Sequence, residues 1–439
     1  MKTRFCLALL TVTPVLASLP LRADEPAFGP LPPIKKVEIG PNGEYRVNGR
    51  PLVLIKAWLQ QPKDFKLLRS LGFNAMGGYW WNKKETPADQ AARGILEYAR
   101  KVREAGLYYL PPYEHELMDS MKTLRKMDHV MLWLHIDEPD LPRKRDPNNP
   151  ADRNLPPDVK FVPQEAPSVS LEKYRRIKQL DPTRPVVIGV TANFSSLYPR
   201  KFTPAQKKAM YPRYIEASDA VGFDTYPIFG WNRPDNLFHV AVCTRELRAL
   251  AGPKRGLSCA IETNRGSKWI TPARQLEVKP MHTRAEVWMA LINGATGISY
   301  FTHKWFDPDG KANYQTFAPN AEMQAELKRL NAQLARLAPA IVGKPSAVQI
   351  NMTMSDGMKC HFKATEPGDG CLWVFAQNMD MGYRKGTATI TVPGLPAGAK
   401  VEVVDEGRTI PAEAGKLADD FGPVAEHIYK IPWRSTRKP

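Results

Sequence analysis

The chain has 439 residues, of which 43% are hydrophobic and 24% charged, and its formal net charge is +17. This composition is typical of a soluble globular protein with a real core, and it excludes a fibrous or disordered chain. The positive charge favours anionic partners such as uronic-acid or sulfated polysaccharides. The alternative is a generally cationic surface that binds no specific ligand. The Lys and Arg residues are scattered and match no known nucleic-acid module, so we expect no nucleic acid partner.

The N-terminal residues 1–23 have the features of an export signal. Lys2 and Arg4 precede an apolar stretch, and we expect cleavage after Ala17 or Ala23. The stretch is too short to cross a bilayer, and no later stretch of the sequence is long enough. The sequence therefore predicts a periplasmic or secreted protein without a membrane span.

Four cysteines follow the predicted signal: Cys243, Cys259, Cys360 and Cys371. An even number of cysteines in an exported protein permits disulfide bonds. Cys360 and Cys371 lie on successive strand-like runs and are candidates for pairing, and four buried thiols are the alternative. No cysteine spacing resembles a zinc site.

Residues 24–51 read as a Pro-rich extended lead-in followed by a hairpin around Pro41. After them strand-like and helix-like segments alternate eight times. The predicted strands are residues 52–57, 73–79, 107–113, 130–136, 185–191, 220–226, 256–262 and 297–303. The predicted helices are residues 63–71, 89–105, 118–126, 171–180, 204–217, 236–250, 282–293 and 322–337.

Eight strand–helix units predict a parallel sheet, and their number and length favour a (β/α)₈ TIM barrel over residues 52–342. An open doubly wound sheet is the alternative, but the first strand is not followed by the Gly-rich turn that nucleotide binding requires. The charged, Pro-rich residues 140–168 follow the fourth strand and are expected to shape a substrate site. Residues 346–434 change to short alternating strands, which predicts a small antiparallel β-sandwich-like C-terminal domain.

Two glutamates, Glu138 and Glu262, each close an apolar strand-like run. A carboxylate at such a place is costly to bury unless another group partners it. In a barrel these two residues would end the fourth and seventh strands, at the face where barrel enzymes carry their active sites. Two carboxylates that flank one bond are the minimum equipment for cleaving a glycosidic linkage, and ion-paired residues at strand ends are the alternative.

Three short motifs around these glutamates resemble clan A of the retaining glycoside hydrolases, in which the acid/base Glu ends strand four and the nucleophile Glu ends strand seven. The clan's Asn-Glu-Pro is here Asp137-Glu138-Pro139. Tyr226, in Gly-Phe-Asp-Thr-Tyr-Pro, matches the aromatic partner of the nucleophile on strand six. Trp305 matches the Trp that follows strand eight.

The resemblance implies that Glu138 is the acid/base and Glu262 the nucleophile of a double displacement, with no cofactor. It implies that Tyr226 orients Glu262, that Trp305 stacks on the sugar and that Asp137 hydrogen-bonds a substrate hydroxyl. Because Asp replaces the clan's Asn, Asp137 can only accept such a bond when ionised.

Further candidate substrate-binding residues follow the second, third and fifth strands. Trp80 and Trp81 belong to a Tyr-Trp-Trp triplet whose rings cannot all point inward, and sugars stack on exposed rings. Glu114 and His115 end the third strand and are candidates for binding hydroxyls, with a loop-stabilising hydrogen bond as the alternative. Asn193 is a further polar candidate.

Two other functions are compatible with this pattern. A metal-dependent barrel hydrolase would draw ligands from His115, His135, Asp137, His282 and His303, but no two histidines stand close together on one strand. A non-catalytic carbohydrate-binding barrel is the second alternative, although binding alone would not require a glutamate at both strand ends. We therefore predict a glycosidase that acts on a poly- or oligosaccharide and needs no metal.

Overall fold

A computed structural model of the chain describes residues 28–156, 158–305 and 317–433. The predicted export signal lies outside these residues. No helix in the described ranges is both long and apolar enough to cross a membrane.

The N-terminal part of the described chain is a small antiparallel sheet followed by the strands of a barrel. The small sheet consists of β1 (Val37–Ile39), β2 (Tyr45–Val47) and β3 (Arg50–Leu52). Its first two strands are the predicted hairpin. The strands that follow are β4 (Leu54–Trp58), β5 (Ala75–Gly77), β6 (Tyr108–Leu110), β7 (Trp133–Asp137), β8 (Pro142–Lys144), β9 (Phe161–Pro163), β10 (Val186–Thr191), β11 (Ala220–Asp224), β12 (Gly256–Glu262) and β13 (Gly297–Phe301).

All of these later strands except β8 and β9 form one parallel sheet with the order β6-β5-β4-β13-β12-β11-β10-β7. Two parallel bridges, Tyr109 to Val130 and Pro112 to Leu134, connect its two edges and complete the circle. The predicted TIM barrel is therefore confirmed. β8 and β9 pair with each other inside the long segment that follows the fourth barrel strand.

Helices cover the outside of the barrel. They are α1 (Phe65–Ser70), α2 (Ala88–Glu104), α3 (Met118–Leu124), α4 (Pro150–Arg153), α5 (Pro167–Leu180), α6 (Pro204–Glu216), α7 (Phe238–Ala251), α8 (Pro280–Ile292) and α9 (Ala321–Ile341). Short 3₁₀ turns lie at Pro62–Asp64, His115–Leu117, Ala192–Phe194, Pro234–Asn236, Pro272–Arg274 and Ser355–Gly357. The buried apolar residues between strands and helices form one large core.

Several strands are shorter than the sequence predicts, for a local reason. β5 stops before Gly78, whose φ of +85° ends the extended chain. β6 stops before Pro111 and Pro112, which cannot donate backbone hydrogen bonds. β12 has the predicted bounds, and none of the eight barrel strands is missing.

The C-terminal part consists of short antiparallel strands, as predicted. They are β14 (Lys344–Pro345), β15 (Asn351–Met354), β16 (Cys360–Glu366), β17 (Cys371–Asn378), β18 (Gly386–Thr391), β19 (Lys400–Val403), β20 (Arg408–Pro411), β21 (Lys416–Phe421) and β22 (Glu426–Pro432). They form a six-stranded sheet, β14-β16-β17-β22-β19-β20, and a three-stranded sheet, β15-β18-β21, and alternate residues of the strands form a second core. We refer to this part as the β-domain.

A buried charge cluster joins the barrel to the β-domain. Arg284 of α8 contacts Glu426 of β22 at 2.6 Å and Glu326 of α9 at 3.1 Å, and it donates to Gln333 at 2.8 Å. The side chains of Glu426 and Glu326 are only 8% and 9% exposed. Arg329 also pairs with Glu326, but Arg284 contacts both carboxylates and is therefore the electrostatic centre of this contact.

The suggested disulfide between Cys360 and Cys371 is wrong. The four cysteines of the described residues are free thiols. β16 and β17 pair so that Cys360 lies opposite Asn378 and Thr365 opposite Trp373. Cys360 and Cys371 therefore lie at opposite ends of the hairpin, too far apart for a sulfur–sulfur bond.

Candidate active site

A cavity of about 840 Å³ opens at the carboxyl ends of the barrel strands. Every barrel strand except β5 and β6 contributes side chains to its wall, and the segment that follows β5 adds Trp80. Three carboxyl groups project into it, those of Asp137, Glu138 and Asp224. Barrel enzymes carry their catalytic groups at this face of the fold.

Asp137 and Glu138 are neighbours in sequence, yet both line the cavity. Successive side chains of a regular strand point to opposite faces. Glu138 escapes this rule because its φ is +48°, a left-handed conformation directly after the last residue of β7. Its amide donates to the carbonyl of Gly189 at 2.9 Å, which keeps the turn attached to β10. Such strain in a non-glycine residue is common at functional sites.

The carboxyl groups of Glu138 and Asp224 lie close enough to share a hydrogen bond, from strand ends separated only by β10. Two carboxylates cannot share a hydrogen bond unless one carries a proton. Burial, together with the charges of Asp137 and Asp140, raises the pKa of Glu138 to about 7, although the hydrogen bond from Asp224 acts against this rise. Burial and the Glu138 charge raise the pKa of Asp224 well above its usual range. The pair therefore holds a proton near neutral pH.

A further carboxylate, that of the fully buried Asp140, supports this strand end from behind. It has no solvent exposure and accepts hydrogen bonds from the Thr191 amide at 2.8 Å, the Thr191 hydroxyl at 2.6 Å and the Tyr211 hydroxyl at 2.8 Å. Burial raises its pKa to about 6 despite these donors. Because Asp140 follows Glu138 by two residues, its bonds fix the strained turn to β10 and α6.

Lys56 provides a positive charge opposite the carboxyl pair. Burial lowers the pKa of this lysine to about 8, and the charge of Asp137 opposes that decrease. The surrounding protein atoms likewise raise the pKa of Asp137 by desolvation, although its side chain is open to the cavity, and Lys56 opposes that rise. Asp137 is thus the cavity carboxyl that has a cation rather than another acid as its main electrostatic neighbour.

The structure does not bring Glu262 to Glu138. Glu262 has no solvent exposure and is not part of the cavity wall. Its two carboxyl oxygens accept hydrogen bonds from the amides of Ile228 at 2.8 Å and Phe229 at 2.7 Å. Burial raises its pKa to about 7. In this geometry Glu262 holds the loop that follows β11 and has no direct path to a ligand.

Behind Glu262 lies another buried acid, Glu286 of α8, which is hydrogen-bonded to it. Neither Glu286 oxygen accepts a bond from an N–H or O–H donor within the described ranges. Burial and the Glu262 charge raise the pKa of Glu286 well above its usual range. A shared proton therefore satisfies this pair as well.

Aromatic rings form one wall of the cavity. Tyr226 packs on Phe301 with ring centres 4.9 Å apart, and Trp305 lies 4.5 Å from the exposed Trp269. Trp80 stands on another side and is 60% exposed, so the expectation that one ring of the triplet is exposed is confirmed. Such rings suit the C–H faces of sugars. Tyr226 lies near Asp224 and Glu138. Among the described residues, the Tyr226 hydroxyl forms no hydrogen bond with Glu262.

Four other predicted site residues lie outside the cavity wall. Trp81 is half-buried, with Lys83 located 5.5 Å from its ring. Glu114 forms an ion pair with Lys83 at 2.7 Å, which corresponds to the predicted alternative in which this residue stabilises a loop. His115 is exposed in a 3₁₀ turn, and the Asn193 amide donates to the Thr191 hydroxyl at 2.8 Å.

The histidines do not assemble into a metal site. No group of three or more potential ligands lies close together within the described ranges. His135 is buried and bonded to the Ser170 carbonyl at 2.6 Å, as expected for a core histidine. His303 lines the cavity, and burial lowers its pKa to about 4, so its ring is neutral at physiological pH.

Sequence reasoning missed the partner of Glu138. That partner is Asp224, which faces Glu138 from the end of β11. Its position as the last residue of β11, on the same face as Gly222, was the available signal. Lys56 was missed too, although a lysine within an apolar strand was visible in the sequence.

The chain matches no protein-family model and no curated protein. Its fold has counterparts among solved structures. A structure described as a glycoside hydrolase has a TM-score of 0.51 and 11% identity, over 92% of this chain and 98% of that one. The chain has the fold of barrel glycoside hydrolases.

Two further structures agree with that conclusion. AmyP in complex with maltotriose has a TM-score of 0.51 and 10% identity, over 85% of this chain and 90% of AmyP. A putative α-galactosidase from Bacteroides fragilis has a TM-score of 0.50 and 14% identity, over 87% of this chain and 76% of that protein. The predicted resemblance to glycoside hydrolases is confirmed at the level of the fold.

Proposed function

We propose that this chain is an exported glycoside hydrolase that cleaves an oligo- or polysaccharide with retention of anomeric configuration. The observation that carries the proposal is the proton-sharing pair of Glu138 and Asp224 beside the ionisable Asp137, in one cavity at the catalytic face of the barrel. Glycoside hydrolysis needs both a carboxylic acid and a carboxylate around one bond. The aromatic wall supplies stacking surfaces for sugar rings.

The environments of the carboxyl groups divide the chemical roles. Glu138 is the acid/base, because its raised pKa keeps it protonated near neutrality. Asp224 is a positioning residue that shares this proton with Glu138 and orients its carboxyl group. Asp137 is the nucleophile, because Lys56 favours its ionised form and its carboxylate reaches the cavity.

The reaction then has two balanced steps. In the first, an Asp137 oxygen forms a bond to the anomeric carbon while the glycosidic C–O bond breaks, and Glu138 gives its proton to the departing oxygen. In the second, the Glu138 carboxylate removes a proton from water, whose oxygen attacks the anomeric carbon and releases Asp137. Two inversions give net retention. Glu262, the nucleophile predicted from the sequence, supports the cavity loop in this scheme.

The first test is the release of reducing sugar from neutral, uronic-acid and sulfated glycans by wild-type enzyme and by Glu138→Gln. Release by the wild type alone is expected. Binding of glycans without any turnover would instead support a carbohydrate-binding protein. N-terminal sequencing of protein recovered from the periplasm or medium tests export, since cleavage should occur after Ala17 or Ala23.

The second test identifies the nucleophile. A 2-fluoro glycoside with a good leaving group should trap the covalent sugar on the enzyme, and peptide mass spectrometry locates it. Label on Asp137 supports the proposal. Label on Glu262 would show that its carboxylate reaches the cavity and would restore the assignment made from sequence.

A further inference from the structure

The upper part of the barrel interior is open beneath the carboxyl groups, whereas the lower part is filled by buried apolar residues such as Leu134 and Val187. The interior of a TIM barrel is usually filled by layers of branched side chains. Here the inner positions include Gly189, Gly222, Ser258, Ala260 and Ser299, and all of them line the cavity. The cavity therefore extends into the barrel and ends in a floor of small residues.

Two of the glycines are required by this arrangement. A Cβ atom at Gly189 would lie 3.0 Å from an Asp137 carboxyl oxygen, and one at Gly222 would lie 2.9 Å from the Ser258 hydroxyl. Any larger side chain would press on the groups that face the cavity. The hollow thus depends on the sequence and is not a gap left by loose packing.

Lys56 projects into this hollow from β4. Only 9% of the residue is exposed, and its Nζ lies 4.7 Å from the centre of the Trp58 ring. Within the described part of the chain no carboxylate lies within 4.0 Å of Nζ, and no acceptor is hydrogen-bonded to it. A buried ammonium without such partners is costly, and an anionic ligand would offset that cost.

Two hydroxyl groups accompany Lys56 on the floor. Ser299 of β13 lies directly opposite Lys56 in the strand pairing, and Ser258 lies on the adjacent β12. Neither hydroxyl has a hydrogen bond to another described residue, although Ser258 is only 5% exposed. The floor thus presents one cation and two free donors on three adjacent strands.

The acids occupy the other side of the cavity, on β7 and β11. This arrangement gives the cavity an acidic wall at the reacting bond and a basic floor beneath it, from which Lys56 acts on Asp137 at longer range. Asp137 acts on Lys56 only at a distance longer than an ion pair, so the ammonium retains its donors for a ligand. A neutral sugar would leave that cation without a charged partner.

We propose that the floor formed by Lys56, Ser258 and Ser299 binds an anionic substituent, a carboxylate or a sulfate, on the sugar that occupies the cavity. This inference rests on the proposed glycosidase function and specifies its substrate class as uronic-acid or sulfated glycans. Charge-assisted hydrogen bonds to such a group favour it over a neutral sugar by about tenfold or more.

Binding of small probes tests the floor without requiring turnover. Glucuronate, glucose 6-sulfate and glucose are titrated into the full-length wild-type protein by calorimetry or ligand-observed NMR. At least one anionic probe should bind about tenfold more tightly than glucose. The two anions distinguish a carboxylate subsite from a sulfate subsite, and equal or tighter binding of glucose overturns the proposal.

Lys56→Met removes the charge with little loss of volume, and Lys268→Met is its matched control. Lys268 lies on the cavity wall over the Trp305 ring at 4.7 Å, so the control removes one positive charge from the same cavity outside its floor. The preference for the anion should disappear in Lys56→Met and change less than about threefold in Lys268→Met, as expected for an exposed charge. Equal losses in both variants would mean general electrostatic attraction and would overturn the subsite.

Ser299→Ala is the second variant if Lys56→Met does not fold, and it should reduce the preference severalfold. An unchanged preference in Ser299→Ala would then overturn the subsite.

The hydrolase proposal and the subsite proposal can fail independently of each other. Equal kcat/KM values for neutral and anionic glycans would support the hydrolase and overturn the subsite. Tight anion binding without turnover of any glycan would support the subsite and overturn the hydrolase.

Discussion

The carboxyl groups of Glu138 and Asp224 lie close enough to share a hydrogen bond at the mouth of the barrel, at the ends of the fourth and sixth barrel strands. A strained backbone at Glu138 turns its side chain toward Asp224. Different strands hold the two acids at the same place, so Asp224 can orient Glu138 only while both strand ends stay fixed. This relationship has consequences for activity, for pH dependence and for stability.

Replacement of Asp224 by Asn should impair proton transfer without unfolding the protein. Asn can still accept a hydrogen bond from protonated Glu138, but it cannot hold a proton for it. We expect kcat/KM to fall by about 10²–10⁴, as for the loss of acid–base catalysis. Aryl glycosides with good leaving groups should be affected less, because they need no protonation. Equal losses for good and poor leaving groups would contradict this role.

Activity should decline as pH rises above about 7. The pKa of Glu138 is raised to about 7, and the reaction needs its protonated form. Each further pH unit should therefore cost about tenfold in kcat/KM for substrates with poor leaving groups. A pH–rate profile measures this, and a rate that stays flat to pH 9 would exclude Glu138 as the acid.

Stability should carry the same signature with a defined sign. The folded-state pKa of Glu138 is above its ordinary value of 4.5, so the folded protein binds more protons between pH 4.5 and 7. Stability contributed by this group is present below that window and is lost as pH rises through it. Glu138→Gln removes this pH-dependent loss of stability. At pH 8 the free energy of unfolding of the variant should therefore exceed that of the wild type by about 1–3 kcal/mol. At pH 4.5 the variant and the wild type should be nearly equal in chemical denaturation.

Glu262→Gln should act on stability first and on activity second. Both Glu262 oxygens accept backbone N–H groups, and a Gln amide would oppose one of these donors with another. We expect a loss of about 1–3 kcal/mol, measured by denaturation at pH 6. Glu286→Gln is the matched control, because its amide can donate to Glu262 and should preserve the fold. A loss of about 10⁴ in kcat with full stability would instead indicate a catalytic Glu262.

Arg284 should be essential for the junction between barrel and β-domain. Arg284→Met leaves Glu426 buried without a cation and leaves Glu326 with Arg329 alone, and it should cost about 3–5 kcal/mol. The control is Arg336→Met, which breaks an exposed pair with Asp405 and should cost about 0–1 kcal/mol. Differential scanning calorimetry compares the two. Similar shifts in Tm would show that the Arg284 cluster contributes no more than a surface pair.

Local sequence patterns determined the architecture of this protein. Eight apolar runs that alternate with amphipathic segments predict the barrel, and the shorter alternating runs after residue 346 predict the β-domain. Both predictions follow because the period of the hydrophobic residues indicates which face of each element is buried. The same patterns place Asp137, Glu138 and Trp305 near the mouth, since the ends of parallel strands meet at one face.

The choice of catalytic partner needed the tertiary structure. Glu138 enters the cavity only because its backbone is left-handed, and Glu262 is kept out of it by the amides of Ile228 and Phe229, contacts that no strand pattern specifies. Asp224 and Lys56 are ordinary strand residues in sequence. Their roles arise only after the barrel has closed, when side chains of non-adjacent strands come close to one another. Such pairings are set by packing rather than by spacing along the sequence.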